Sequence, residues 1–320
     1  MRDVVVIGGG LSGLAACYEL EKRGTAYTVI EVKRRFGGGI RSTAEGGFIM
    51  DACAFAFRRP AAGVLPPEFE LDQQILPISD DVCVFRHGAE SLISAFADCL
   101  QGGRLMRMAV SSIGRLRNRF TICLENGIML DAGALILAVP ARYAARMLWN
   151  LAPEAAERLT AFRYDSIRRV SLGFRKRDLP MSMDGVLDEP FPFIIATDQP
   201  ERVPDRDHCL IQVGLRFSSD TSAQEAIIVV TRHLGCCASP LVARADHWLE
   251  ADLLSDYDQD HRENLRAIRD LLPAGISLIG SDYCRESPSS KGVSGLDERI
   301  LSGTRAARDA IEFLEAAKRR

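Results

Sequence analysis

The segment from Asp3 to Ser42 constrains this chain more than any other stretch of it. Val4-Val5-Val6-Ile7 is a continuous apolar run, the pattern of a buried parallel strand. It leads straight into Gly8-x-Gly10-x-x-Gly13. A helical pattern follows (Leu11, Leu14, Ala15, Tyr18, Leu20) and stops at Gly24. A second strand, Tyr27 to Ile30, ends on Glu31. Strand, glycine-rich turn, helix, strand and acid form the layout of a dinucleotide-binding βαβ unit. In that layout Gly8 turns the chain, Gly10 leaves room for a pyrophosphate and Gly13 lets helix and strand pack closely. The free N–H groups at the helix start, around Leu11 and Ser12, hold the phosphates. Glu31 accepts hydrogen bonds from the ribose hydroxyls and disfavours a 2′-phosphate. The plainer reading is a βαβ turn with no ligand.

The residues after Glu31 discriminate between dinucleotides. Lys33-Arg34-Arg35-Phe36-Gly37-Gly38-Gly39-Ile40-Arg41-Ser42 is a second glycine-rich loop, which nicotinamide enzymes do not need at this point. It resembles the second FAD-binding motif of the flavin-containing amine oxidase superfamily, which includes monoamine oxidases and protoporphyrinogen oxidase. Glu31, Lys33, Gly37, Gly38 and Ser42 match the pattern, and Gly39 stands where the family usually has an arginine. Arg41 is the expected substitute. Further resemblance lies in His87 to Leu92, in Leu105 to Ile113 read as one strand with Val110 against the adenine, and in Ala134 to Pro140. Late in the chain, Ile276 to Asp282 and Gly292 to Arg305 resemble the pieces that approach the flavin, the latter most closely in the protoporphyrinogen oxidase version. The resemblance implies FAD held by Gly8, Gly10, Leu11, Ser12, Gly13, Glu31, Val32, Lys33, Gly38, Gly39, Ile40, Arg41, Val110, Asp282, Gly292, Val293 and Ile300. It implies an α/β fold: a discontinuous Rossmann-like FAD-binding domain of glutathione-reductase type, and a smaller α+β substrate domain with a mixed sheet.

The expected boundaries are 1–57, 80–140 and 275–320 for the FAD-binding domain and 141–274 for the substrate domain. A reduced cap occupies 58–79, where the family usually inserts a sizeable helical cover; the site is therefore expected to be smaller or more open. Strands are expected at Val170–Phe174, Phe193–Ala196, Cys209–Leu215, Ile227–Val230 and Val242–Trp248, and helical patterns fill Pro153–Phe162, Ala223–Leu234 and Gln259–Leu271. Asn126-Gly127 marks a hairpin between Arg119–Leu124 and Ile128–Leu130.

With a net charge of −3 the chain has no general electrostatic footprint for nucleic acid or a membrane surface. The basic run Lys33 to Arg41 is assigned to FAD phosphates and a solvated loop. No apolar run is long enough for a transmembrane helix, and the first strand begins too early for a signal peptide, so a cytoplasmic protein is expected. The nine cysteines lack CxxC spacing and the histidines are scattered, so reduced thiols and no metal are expected. Cys236-Cys237 is a vicinal pair, better read as buried thiols than as a redox couple. The oligomeric state is left open.

The chemistry implied by the resemblance is hydride removal from a small-molecule substrate, an amine or a reduced cyclic compound, with oxygen or another acceptor completing the cycle. By alignment Arg169 falls near the position of a lysine that holds water beside the flavin in many amine oxidases. The alternative places Arg168 and Arg169 as surface charges on an edge strand. Tyr283 is a candidate for an aromatic flanking the flavin, and Lys291 for a cation facing it. Trp248 and Tyr257 are weaker aromatic candidates, with core packing preferred for Trp248. Two other functions stay open: a nicotinamide-dependent dehydrogenase using only the first motif, and a non-catalytic FAD-binding protein.

Overall fold

Val4–Ile7 is buried along its whole length because it lies inside a five-stranded sheet. The strand order is Ile276–Leu278, Ala134–Leu137, Val4–Ile7, Tyr27–Glu31 and Gly103–Met106, all parallel. The computed structural model describes residues 3–53, 56–180, 191, 193–216, 222–236, 238–253, 259–284, 289–290 and 293–319. Its helices are α1 (Leu11–Lys22), α2 (Glu90–Asp98), α3 (Ala141–Leu148), α4 (Pro153–Thr160), α5 (Ala223–His233), α6 (Gln259–Leu271) and α7 (Asp297–Lys318).

Successive side chains of a strand point to opposite faces, so this parallel sheet feeds two cores. Val4, Val6, Val29, Ala134 and Ile136 pack against α1, α2 and α7. Val5, Ile7, Ile30, Leu135 and Leu137 pack against α3, α4, α6 and a small antiparallel sheet. That sheet holds Val110–Leu116, Arg119–Leu124 and Met129–Ala132, turned at Asn126-Gly127 as expected. The single strand expected from Leu105 to Ile113 is instead two. Arg107 takes a left-handed φ of 58°, which breaks the strand and carries the chain from the parallel sheet to the antiparallel one.

A four-stranded sheet follows in the order Phe193–Thr197, His208–Arg216, Tyr164–Arg175, Val242–Leu253. It pairs antiparallel throughout. Mixed pairing occurs in another sheet, where Val293–Ser294 runs parallel to Ala56–Arg58 while Val82–Phe85 and Ile75–Pro77 pair antiparallel. Ile227–Val230 is not a strand; it lies within α5, which opens with a Ser222–Glu225 capping box and buries Ala226 and Val230 one turn apart. α5 covers the Val170, Leu172 and Phe174 face of the sheet. Between Arg58 and Ile75 the helical structure consists of two 3-10 turns, Pro67–Phe69 and Leu71–Gln74.

Arg202 joins these layers. It is fully buried and donates to the carbonyls of Phe85 and Ile49 and to the Asp51 carboxylate, each at 2.8 Å. Asp51 also accepts from the Ala89 N–H at 2.9 Å and from the Ser42 hydroxyl at 2.5 Å. Gln212, on the four-stranded sheet, donates to the Asp51 carbonyl at 3.0 Å. Among the described residues, no helix is long and apolar enough to cross a membrane and no cluster of metal-ligating side chains occurs.

Candidate functional site

The carboxyl ends of the parallel strands open onto a cavity of about 450 Å³. Such a crevice is where open α/β sheets bind ligands. Its floor is the start of α1, where the unsatisfied N–H groups and helix dipole favour an anion. Glu31 is buried at the end of its strand and ties the first turn to the second. Its two oxygens accept from the Gly9 N–H at 2.7 Å and from the Lys33 N–H at 2.8 Å. Each carboxylate oxygen keeps a further lone pair, so Glu31 still has capacity for a hydroxyl donor.

The second glycine-rich loop is organised from inside. Arg35 donates to the carbonyls of Phe36 and Ile40 at 2.8 Å and of Gly38 at 3.3 Å. In a planar trans peptide the N–H opposes the C=O, so the Gly39 N–H points away from Arg35. Gly10 and Gly38 face each other: a Cβ on Gly38 would lie 3.4 Å from the Gly10 Cα. Side chains here would fill the space between the loops, which suits close approach of a phosphate chain.

At the far end, Asp282 is buried and holds α3 in place. Its Oδ2 accepts from the Ala141 N–H at 2.8 Å and from the Tyr164 hydroxyl. The Ala141 N–H is also 2.9 Å from the Tyr164 oxygen. Burial and the adjacent Asp282 charge push the Tyr164 hydroxyl well above its ordinary pKa, so it stays protonated and donating. Tyr283 is buried and its hydroxyl donates to the Val139 carbonyl at 2.9 Å. Burial first, then the neighbouring Asp282, raises its pKa as well.

The sequence-predicted residues divide clearly. Gly8, Gly10, Leu11, Ser12, Glu31, Val32, Lys33, Gly38, Gly39, Ile40, Val110, Asp282 and Tyr283 all line the one cavity. Gly13 lies behind it, against the Gly8 carbonyl and Ala138. Arg41 is exposed and outside the lining. The arginines that line the cavity are Arg146 and Arg299. Ile300 is buried in the core against α1, and Val293 packs near Ala56, Ile167 and Phe193. Lys291, Gly292, Tyr257 and Cys237 lie outside the described residues, as does the side chain of Trp248.

Arg169 is not a surface charge. Its strand is internal to the four-stranded sheet, its side chain is buried, and its guanidinium carbon sits 5.6 Å from the Phe193 ring. It does not line the cavity. Sequence reading missed Cys53, Tyr143, Arg146, Met147 and Arg299 as lining residues. Tyr143, Arg146 and Met147 share one face of α3 by their spacing of three and four. That helix follows directly on Pro140, so its position after a cavity-lining turn was the available signal. Arg299 carries a chemical signal: its Nε is buried without a hydrogen-bond partner among the described residues. The described cysteines are all free thiols.

These features fit a dinucleotide with an acidic phosphate chain, and comparison with known proteins agrees. A family model for flavin containing amine oxidoreductases matches residues 54–311, and one for an NAD(P)-binding Rossmann-like domain matches residues 6–65. The chain is 32% identical over 128 residues to protoporphyrinogen oxidase 2, chloroplastic/mitochondrial, of Arabidopsis thaliana, a stretch that is 39% of this chain and 24% of that protein. It is 36% identical over 75 residues to coproporphyrinogen III oxidase of Propionibacterium freudenreichii subsp. freudenreichii, covering 23% of this chain and 14% of the relative. The matches thus span about a quarter or less of the length of these curated relatives. Among solved structures, a protein described as a protoporphyrinogen oxidase from Exiguobacterium sp. 255-15 superposes with a TM-score of 0.70 at 14% identity, over 98% of this chain and 99% of that one. A redesigned putrescine oxidase gives 0.65 at 16% identity, over 97% and 99%. The two structures speak for the fold, and the family model, which spans most of the sequence, speaks for descent: the chain belongs to the family of flavin-containing amine oxidoreductases, with FAD as its cofactor.

Proposed function

We propose that this protein is an FAD-dependent oxidoreductase that takes a hydride from a small or medium organic substrate, an amine or a reduced cyclic compound. Oxygen or another acceptor would complete the cycle. The observation that carries this reading is the convergence of the α1 start, Glu31, the Arg35-ordered loop and the buried Nε of Arg299 on one cavity. FAD bound there supplies the hydride acceptor.

In this reading Glu31 receives the ribose hydroxyls, and the N–H groups of Leu11, Ser12 and Gly39 take the phosphate oxygens. Arg299 adds the opposite charge and gains the partner its Nε lacks. Asp282 accepts from a cofactor hydroxyl through its remaining lone pairs, oriented by Tyr164 and Ala141. Tyr283 is a positioning residue: its hydroxyl donates to the Val139 carbonyl and fixes that turn, and burial keeps it protonated. Arg169, buried beside the Phe193 ring and outside the cavity lining, is given no contact with substrate or cofactor in this reading. The discontinuous division at 57, 80, 140 and 275 remains our assignment of the FAD-binding and substrate halves.

The test is an absorption spectrum of purified protein followed by anaerobic addition of amines and reduced tetrapyrroles. A band near ~450 nm that one of them bleaches supports the reading, since the band belongs to oxidised flavin. A flavin that no such compound reduces would leave a non-catalytic flavoprotein, and a colourless protein that takes up nicotinamide cofactors would overturn the assignment altogether.

A further inference from the structure

A second, open hollow of about 530 Å³ lies between α3 and the strand Val110–Leu116. Ser111 and Ser112 form one wall, and Arg142, Arg146, Trp149 and Asn150 the other. Arg142 and Arg146 are four residues apart, so both guanidinium groups serve the same side of the helix. No acid lines the hollow among the described residues. Trp149 leaves 54% of its surface to solvent, an unusual exposure for the largest apolar side chain.

The hollow is physically joined to the cofactor cavity at two points. Arg146 lines both. The Arg142 guanidinium carbon lies 5.2 Å from the Tyr164 ring, and the Tyr164 hydroxyl donates to Asp282, which lines the cavity.

We propose that this hollow is a second ligand site, for a phosphorylated compound that carries a planar ring, of the nucleoside diphosphate kind. Paired guanidinium forks match phosphate oxygens in geometry as well as charge. Ser112 and Asn150 add neutral donors beside them. The exposed indole offers a stacking face for the ring. The surface is concave and small, which suits a compound of that size, and the net charge of −3 argues against a polyanion as the natural occupant. Because Arg146 stands on both walls, occupancy of the hollow alters FAD retention, and FAD alters affinity for the ligand by the same factor. The existence of the site does not rest on the oxidoreductase reading.

The experiment is calorimetric titration of FAD-saturated protein with ADP, and in parallel with inorganic pyrophosphate. FAD content is read from absorbance beforehand, so failure to bind flavin is seen separately. Saturable ADP binding, weakened tenfold or more by Arg142→Gln and by Trp149→Ala with FAD content unchanged, is the expected result. Absence of binding at millimolar ADP overturns the proposal. So does ADP binding that appears only when FAD is withheld, because the nucleotide is then in the cofactor cavity. Binding that neither substitution weakens, or pyrophosphate binding as tight as that of ADP and indifferent to Trp149→Ala, overturns it too.

Discussion

At the scale of single residues, Glu31 and Arg299 make opposite kinds of contribution. Glu31 holds two loop N–H groups in the structure itself. Glu31→Ala therefore removes acceptors for those groups as well as for a ribose. We expect FAD content to fall about tenfold or more and stability to drop by roughly 1–3 kcal/mol, the cost of stranding buried donors; full FAD occupancy in that variant would refute the ribose assignment. Arg299→Ala leaves no donor or acceptor stranded among the described residues, so apoprotein stability should change by less than about 1 kcal/mol. Its FAD dissociation constant should rise about tenfold, as fits loss of a charge-assisted hydrogen bond. Equal FAD affinity in the variant, measured by fluorescence titration, would remove Arg299 from the site. Glu31 was legible in the sequence because its offset from Gly8-x-Gly10-x-x-Gly13 is fixed by one helix and one strand. Arg299 was not, because it reaches the cavity only through the way α7 lies on α1. Arg35 was submerged in a basic run, where charge says nothing about which guanidinium turns inward to the loop carbonyls.

Among the elements, the contact of α7 with α1 is the tightest helix pairing that frames the site. A Cβ on Gly303 would overlap the Ser12 carbonyl and lie 2.8 Å from the Ala16 nitrogen, both backbone atoms that cannot swing aside. Gly303→Ala should cost about 1–3 kcal/mol in a urea melt, as overpacking does, and lower FAD affinity because Ser12 lies at the cavity. An unchanged midpoint would mean the helices are not held this close. The same pair is stapled by Glu19, which accepts from Arg308 at 2.8 Å and Arg23 at 2.7 Å. Burial alone would raise the Glu19 pKa, but the hydrogen bonds from Arg308 and Arg23 outweigh it and leave it lowered. A carboxylate with a depressed folded pKa stabilises fully above its unfolded value and loses that contribution as pH falls through the folded one. Glu19→Gln should therefore cost roughly 0.5–1 kcal/mol above about pH 5, discounted for half-exposed partners. Thermal melts of the two proteins should converge at lower pH; a gap that persists there would assign the effect to packing. Helices with strong apolar spacing were legible, and the Asn126-Gly127 hairpin was too. Ile227–Val230 read as a strand because short β-branched runs suit either structure, and the capping box at Ser222 decided the matter. The break at Arg107 left no signal, since nothing in its residue type demands a positive φ.

For the whole molecule, the buried Arg202–Asp51 pair links the parallel-sheet half to the four-stranded sheet. Arg202→Met would leave Asp51 charged and buried, which costs about 3–5 kcal/mol. Chemical denaturation should show that loss, while Arg86→Ala, which breaks the more exposed pair with Glu201, should cost less than about 1 kcal/mol. Comparable losses from both would mean the interior pair is solvated. No periodicity in the sequence announces a contact between positions so far apart, and for the same reason the layering of the sheets was legible only through resemblance. The order of the parallel sheet has a consequence in time. Its outer strand Ile276–Leu278 lies beside Ala134–Leu137, next to the strand Val4–Ile7 that opens the fold. During synthesis, the earliest strand emerges long before the segment that finishes its sheet. Closing that loop brings together residues of large sequence separation, which slows folding. The glycine-rich turn therefore lies between strands that are both available once Leu137 has emerged, while the edge of Ala134–Leu137 stays open, and prone to wrong pairing, until Ile276 follows.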